Sequence, residues 1–492
     1  MSARLITLRL GAALALALGG ASLTACGDDP EPACSSPLHA RCDGNTVVTC
    51  NDDQVTRTEC GGATPECAYV DSTAGFACVV EACAYVGPRG RCLGDSLATC
   101  TDGHVRETAC DDGQVCAWVD DATGYGCRAA AEPAMVMGEI RYEDRPQTGR
   151  GPVGDIRTLP VRGATVTVID DATSQVLATV TTADNGSYVA HYTAAPGAMV
   201  HVTAVARSTY APRPVTVTGN GNAVHGFGSA SFPSAAETTM NVLVTDASHE
   251  SEAFNVFDVA VTSMDALTGD VGVPMPVPLR LIWYRGSNDG TYWSGAVHLL
   301  GASSDDDGYD DTVIAHEIGH YVESTVGRSD SPGGGHNGAP TDPRLAWSEG
   351  YATYWAQSSF GQPIYSDSNS GGGFFDNIDT EVTRATGSGL SQQVSESMVS
   401  QILWDIGDST SAMGADDDMM TSSTLPAVNV IQKAYLKSAT LRNVGTAGVD
   451  LVDFLDGWFV VGGLGSCAPV RDIVVAKHNF PYDFAGPGGT CP

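Results

Sequence analysis

The stretch Asp310-Asp311-Thr312-Val313-Ile314-Ala315-His316-Glu317-Ile318-Gly319-His320-Tyr321-Val322 decides how the C-terminal half of this chain is read. Residues four apart share one face of a helix, so His316 and His320 can each aim a ring nitrogen at a single metal ion. Glu317 sits beside the first of them, where a carboxylate can take a proton from the water that the metal activates. Val313, Ile314, Tyr321 and Val322 supply a buried side for this helix, and Glu317 is the lone charge from Val313 to Val322. An N-capped helix with two surface histidines would not need an acid between them, so the pattern points to catalytic Zn2+.

A catalytic zinc keeps three protein ligands and one open place. The long metzincin motif would continue with Gly at 323 and His at 326; the chain has Glu323 and Val326, which excludes it. Further on, Trp347-Ser348-Glu349-Gly350-Tyr351-Ala352-Thr353-Tyr354-Trp355-Ala356 resembles the third-ligand helix of the gluzincins, the thermolysin-like metallopeptidases. The resemblance implies Glu349 as third ligand, 29 positions after His320. The long spacing is accounted for by a loop insertion from Gly327 to Pro343, with Gly333-Gly334-Gly335 and three prolines. Asp330, His336 or Asp342 could close the shell instead, and an Asp would make the site aspzincin-like. The family's acid four places after this ligand is replaced by Thr353, so support for the histidines is sought elsewhere, with Asp310, Asp311 and Asp342 as candidates. Donors to a developing oxyanion are sought at Tyr351 and Tyr354 on the same helix and at His336 and His478 on loops.

The rest of such a domain can be sketched. Ala253 to Leu267 reads as a helix, Pro278 to Tyr284 as a strand, and Gly295 to Leu300 as an edge strand able to hold an extended substrate. Ser395 to Ile406, Leu425 to Leu436 and Asp450 to Val461 read as further helices. Cys467 and Cys491 are expected to pair. The acidic runs Asp305-Asp306-Asp307 with Asp310-Asp311, and Asp416-Asp417-Asp418, could bind Ca2+ through oxygen ligands, although neither fits the EF-hand pattern.

Upstream, Gly138–Tyr142, Ala164–Ile169, Leu177–Thr182, Gly186–Ala190 and Val200–Val205 alternate with period two between Gly, Asn and Asp turns, as in an antiparallel sandwich. Val161-Arg162-Gly163-Ala164-Thr165-Val166 and Thr182-Ala183-Asp184-Asn185-Gly186-Ser187-Tyr188 resemble the carboxypeptidase-regulatory-like, prealbumin-like domains, which implies a spacer or binding accessory. Before it, Cys34, Cys42, Cys50, Cys60, Cys67 and Cys78 are followed 49 or 50 residues later by Cys83, Cys92, Cys100, Cys110, Cys116 and Cys127, an internal duplication. The gaps exceed those of zinc-binding C-x2-C pairs, so each module is expected to hold three disulfides in an unspecified pattern. A stalk is the simpler role for the pair, since the sequence marks no exposed aromatic face.

Met1 to Ala25 has Arg4 and Arg9 ahead of the apolar stretch Leu10 to Leu18 and ends Leu23-Thr24-Ala25-Cys26, which resembles the lipobox of bacterial lipoproteins. The resemblance implies lipid on Cys26, and Gly27 after it implies the outer membrane or cell surface. No other segment approaches the roughly 20 apolar residues of a membrane span. The 492-residue chain carries a net charge of −33, which opposes nucleic acid as a partner.

The expected architecture is multidomain: signal peptide 1–25, tether 26–33, disulfide-rich modules 34–82 and 83–128, linker 129–135, all-β sandwich 136–235, and an α+β zincin-like metallopeptidase domain over 240–492. The expected activity is hydrolysis of a protein or peptide substrate. Two other classes stay open: a surface binding lipoprotein whose peptidase domain is degenerate, and a zinc hydrolase of a non-peptide amide.

Overall fold

The computed structural model describes residues 41–51, 54–62, 64–71, 75–79, 86–87, 89–101, 104–120, 122–146, 155–209, 214–271, 277–369, 373–381, 394–408, 425–437, 440–441, 444–461 and 467–483. The signal peptide, the tether, Cys26, Cys491 and Asp416–Asp418 lie outside them. The chain divides into two units, residues 1–129 and 130–492.

The first unit repeats one design twice. Strands Arg41–Asp43, Thr46–Asn51 and Gln54–Glu59 form an antiparallel meander, and Glu66–Asp71 pairs with Gly75–Val79. Strands Arg91–Leu93, Ser96–Thr101 and His104–Ala109, with the hairpin Gln114–Asp120 and Gly124–Ala129, repeat it. Disulfides Cys42–Cys67 and Cys60–Cys78 in the first copy match Cys92–Cys116 and Cys110–Cys127 in the second. Cys100 is disulfide-bonded too. Modules this small bury too little apolar surface to fold unaided, and the bridges make up the deficit. Against expectation, the second copy does present aromatic surface. Trp118 and Tyr125 are exposed and meet edge to face at 5.2 Å, with the Arg89 guanidinium 5.6 Å from the Trp118 ring.

In the second unit, two sheets face each other. One contains Arg157–Pro160, Glu132–Asp144 and Ser187–Ala194, joined by Thr238–Thr239 and Val242–Val244. The other contains Val176–Thr181, Thr165–Asp170, Met199–Val205 and Gly226–Gly228, with Phe232–Pro233. Every second residue of Ser187–Ala194 is buried, as a half-covered strand requires. The linker expected over 129–135 shrinks to two residues, because Ala134 and Val136 enter the core while their strand pairs with Ala190–Ala194.

The boundary expected at 235 also dissolves. A third sheet runs Arg207–Ser208, Val215–Thr218, Leu279–Ile282, Val297–His298 and Tyr292–Trp293, so it draws strands from both sides of that boundary. Helix α1 (Ser251–Val271) seals the junction. Arg162 donates to Asp258 at 2.7 Å, and the Tyr142 hydroxyl lies 3.2 Å from the same carboxylate. One hydrophobic core runs from Val136 and Val166 through Phe254 and Phe257 to Ile314 and Trp404. The segment Gly295–Leu300 is interior to the third sheet, and the edge is Tyr292–Trp293 instead.

Three helices form the layer beneath the site: α2 (Asp311–Thr325), α3 (Pro343–Phe360) and α4 (Glu396–Gly407). Asp342 caps α3 by accepting from the Arg344 amide at 3.0 Å, with Pro343 as its first residue. Ser395 caps α4. Two glycines set the spacing. A Cβ on Gly319 would lie 2.8 Å from the Ala352 Cα, and one on Gly350 would lie 2.5 Å from the Val399 Cβ and 2.7 Å from the Glu396 carbonyl oxygen. The three backbones therefore approach closer than any side chain would permit. Helices α5 (Leu425–Ile431), α6 (Leu451–Val461) and α7 (Cys467–Arg471) complete the unit; α5 and α7 each run on into a short π-helical segment. Cys467 is disulfide-bonded.

Candidate metal centre

Helix α2 turns His316 and His320 to the same side, and α3 brings Glu349 up to meet them. His316 Nε2 is 3.2 Å and His320 Nε2 is 3.1 Å from one oxygen, Glu349 Oε2. One donor atom from each of the three lies within 4.8 Å of the others. His316, Glu317 and Glu349 are each more than nine-tenths buried. Two imidazole nitrogens and a carboxylate oxygen converging at a largely buried point make the donor set that suits a zinc-like cation with room for further ligands. Burial works against charge on Glu349, but hydrogen bonding with His316 and His320 outweighs it and holds that carboxyl below the usual range. Glu317 goes the other way: burial raises it, against the opposing pull of His320 and His316. Its Oε2 is buried without a hydrogen-bond partner.

The nearest groups to the two outer ring nitrogens are hydroxyls, with Glu323 Oε2 also 3.9 Å from His320 Nδ1. Thr353 Oγ1 lies 3.2 Å from His316 Nδ1, and Ser348 Oγ lies 3.3 Å from His320 Nδ1. Ser348 in turn donates to Glu323 Oε2 at 2.6 Å, and Glu323 is 1% exposed. A ring that offers Nε2 to a metal is fixed by what its Nδ1 meets. Thr353, which stands where an acid was expected, puts its hydroxyl against that ring nitrogen of His316. The three aspartates proposed for this role have other duties. Asp310 accepts from the Ser368 amide and hydroxyl, Asp311 accepts from Asn255 Nδ2, and Asp342 caps α3 and pairs with Arg344.

The alternatives for a third ligand separate as well. Asp330 pairs with Arg328 at 2.7 Å and accepts from the Val449 amide. His336 does reach the site, with Nε2 3.4 Å from Glu349 Oε2 and Nδ1 2.7 Å from Glu396 Oε2. Three candidate donors are placed elsewhere. Tyr351 is fully buried and donates to Asn429 Oδ1, Tyr354 is fully buried beside it, and His478 packs against Asp405 at 2.9 Å. Tyr351 and Tyr354 come two and five residues after Glu349, which a helix of 3.6 residues per turn puts on its opposite side. Tyr365, unremarked in the sequence, sits 5.6 Å from the His316 ring on the hairpin Ile364–Ser368/Phe374–Asp379. Its distance along the chain from α2 leaves no local signal for it.

The acidic run also regroups. Asp305 and Asp307 join Asp367 of that hairpin, not Asp310 and Asp311. A cleft lined by Trp293, His320, Gly333, His336 and Glu349 opens beside Glu317, and Glu317 also lines a second cavity.

Residues 276–447 match the Mycolysin C-terminal domain family, and the match contains His316, Glu317, His320 and Glu349. It relates this segment to secreted metalloproteases. No curated protein matches the chain. Among solved structures, a 9R-lipoxygenase from Cyanothece PCC8801 aligns at 10% identity with a TM-score of 0.14, over 28% of this chain and 24% of its own. The overlap spans about a quarter of the lipoxygenase and carries no argument about fold or activity.

Proposed function

We infer that the chain is an exported zinc-dependent metalloendopeptidase with a zincin-like catalytic domain of gluzincin type. The observation that carries this reading is the meeting of His316 Nε2, His320 Nε2 and a Glu349 oxygen within 4.8 Å, with Glu317 beside them. His316, His320 and Glu349 would hold the ion, and when bound it supplies a Lewis acid that makes water acidic near neutral pH. Glu317, raised by burial, takes the proton of the attacking water and passes it to the leaving amine. His336, held through Nδ1 by Glu396, faces the cleft with Nε2 and donates a hydrogen bond to the oxygen of the scissile carbonyl. The edge strand Tyr292–Trp293 lines the same cleft and offers backbone groups to an extended peptide.

Four disulfides among the described residues fit an oxidising, exported setting. Among those residues no helix is long and apolar enough to cross a membrane. Attachment at the outer membrane or cell surface through lipid on Cys26 is part of the proposal and rests on the sequence of residues 1–27. Glu317→Ala should retain one zinc per chain and lose roughly 10²–10⁴-fold in casein hydrolysis. Full activity in that variant, or correctly folded wild type that takes up no zinc, would sink the reading.

A further inference from the structure

The second cavity beside Glu317 measures about 250 Å³, below the usual range for whole small-molecule sites and of side-chain scale. Three separate segments line it with acids: Asp305 and Asp307 ahead of α2, Asp367 and Asp376 from the hairpin, and Glu396 at the start of α4. No Lys or Arg is among its described lining residues. Its histidines are His316, which lies 3.2 Å from a Glu349 oxygen, and His336, which is engaged by Glu396 at 2.7 Å.

Asp305 and Asp367 lack full internal compensation. Oxygens of Asp305, Asp307 and Asp367 come within 4.8 Å of one another. Asp305 Oδ1 and Asp367 Oδ1 are buried and have no hydrogen-bond partner. Glu317, 7% exposed, lines the same cavity with its own unpartnered Oε2. Burial holds the Asp307 carboxyl well above its ordinary value and pushes Asp367 up to about 7. Buried like charges stay costly until a cation joins them.

Two kinds of cation could. Calcium asks for six to eight oxygens. Asp307 Oδ2 is already committed to the Leu300 amide at 3.1 Å and to the Thr291 hydroxyl. The cavity that these acids line also holds Glu317 in its wall, so it opens at the reacting centre. That arrangement suits a long side chain ending in three or five N–H donors.

We propose that this cavity is the specificity pocket and that it takes a lysine or arginine side chain adjoining the scissile bond. The proposal rests on the hydrolase reading, and the test separates the two. Hexapeptide libraries are digested with the zinc-loaded full chain, and cleaved bonds are mapped by mass spectrometry. Lys and Arg should be enriched about tenfold at one position flanking the cut. In Asp305→Asn/Asp367→Asn, the ratio of kcat/KM for a lysine peptide to that for its norleucine analogue should fall roughly tenfold, while Asp305→Glu/Asp367→Glu keeps it. Enrichment of apolar residues, or an unchanged ratio in the Asn pair, overturns the proposal. So does stoichiometric calcium binding that the Asn pair abolishes, in a protein without basic preference. Equilibrium binding of the same two peptides to Glu317→Gln reads the pocket without turnover. If the zinc-loaded wild type cleaves nothing, tighter lysine binding by the variant keeps the pocket and defeats the hydrolase reading; equal binding defeats the pocket.

Discussion

The cysteine-rich modules and the α2–α3–α4 layer both hold distant residues in register, by opposite means. In the modules, short strands leave most side chains at least partly exposed, and covalent bonds such as Cys42–Cys67 fix the pairing. In the layer, fourteen of the eighteen residues of α3 are buried, and bare glycine contacts set the distance between helices. A stapled module tolerates surface change because its geometry does not depend on packing. A packed layer tolerates little, but it can place Glu349 to a fraction of an ångström, which a metal site needs.

The comparison breaks if the two regions fail together. Cys42→Ala/Cys67→Ala should destabilise the first module by ~2–5 kcal/mol. Limited proteolysis should then cut between residues 41 and 79, while zinc content and hydrolysis stay at wild-type levels. Loss of metal along with the module would show that the site depends on the staples. Within the layer, the effect to seek is smaller and confined to the metal. Thr353→Val keeps the shape of the side chain but removes the hydroxyl facing His316 Nδ1. Zinc affinity measured by chelator competition should drop roughly 10–100-fold with little change in thermal stability. Wild-type affinity would mean that packing alone orients the imidazole.

How far the chain could be read without coordinates follows from the same contrast. The His316–Glu317–His320 cluster is legible because one helix carries all of it at a spacing that geometry fixes. The cysteine duplication is legible because its period repeats in the text. Glu349 as a candidate ligand needed a family resemblance, since nothing local tells a ligand from a surface acid on a helix. Thr353 looked like a defect because a hydroxyl carries no charge signature. Tyr351 and Tyr354 were misplaced for want of a turn count from Glu349. Asp367 and Tyr365 were invisible because a hairpin that begins at Ile364, well beyond the end of α2 at Thr325, folds back against that helix, and such pairings leave no mark on either segment alone. The break expected at 235 failed for a related reason: Val215–Thr218 pairs in parallel with Leu279–Ile282 across a long excursion.

The least effect expected comes from a buried acid outside the site, and it tests whether the packed unit carries an electrostatic cost that the stapled one lacks. Asp450 and Asp453 form a reciprocal cap at the start of α6: Asp450 Oδ1 accepts from the Val452 amide at 2.8 Å, and Asp453 Oδ2 accepts from the Asp450 amide at 3.2 Å. Asp453 is 1% exposed, and its Oδ1 has no hydrogen-bond partner. Burial, reinforced by the neighbouring Asp450 charge, pushes its carboxyl up to about 8. A raised carboxyl favours the protonated fold, so stability is fully present below the unfolded pKa of about 3.9 and drains away as pH climbs toward 8. Asp453→Asn keeps the acceptor and cannot ionise. Its melting temperature should match wild type near pH 4 and exceed it by a few degrees above pH 8, with the gap opening between. A gap that is constant across that range would mean that the carboxyl does not titrate there, and the cap would then hold α6 by hydrogen bonding alone.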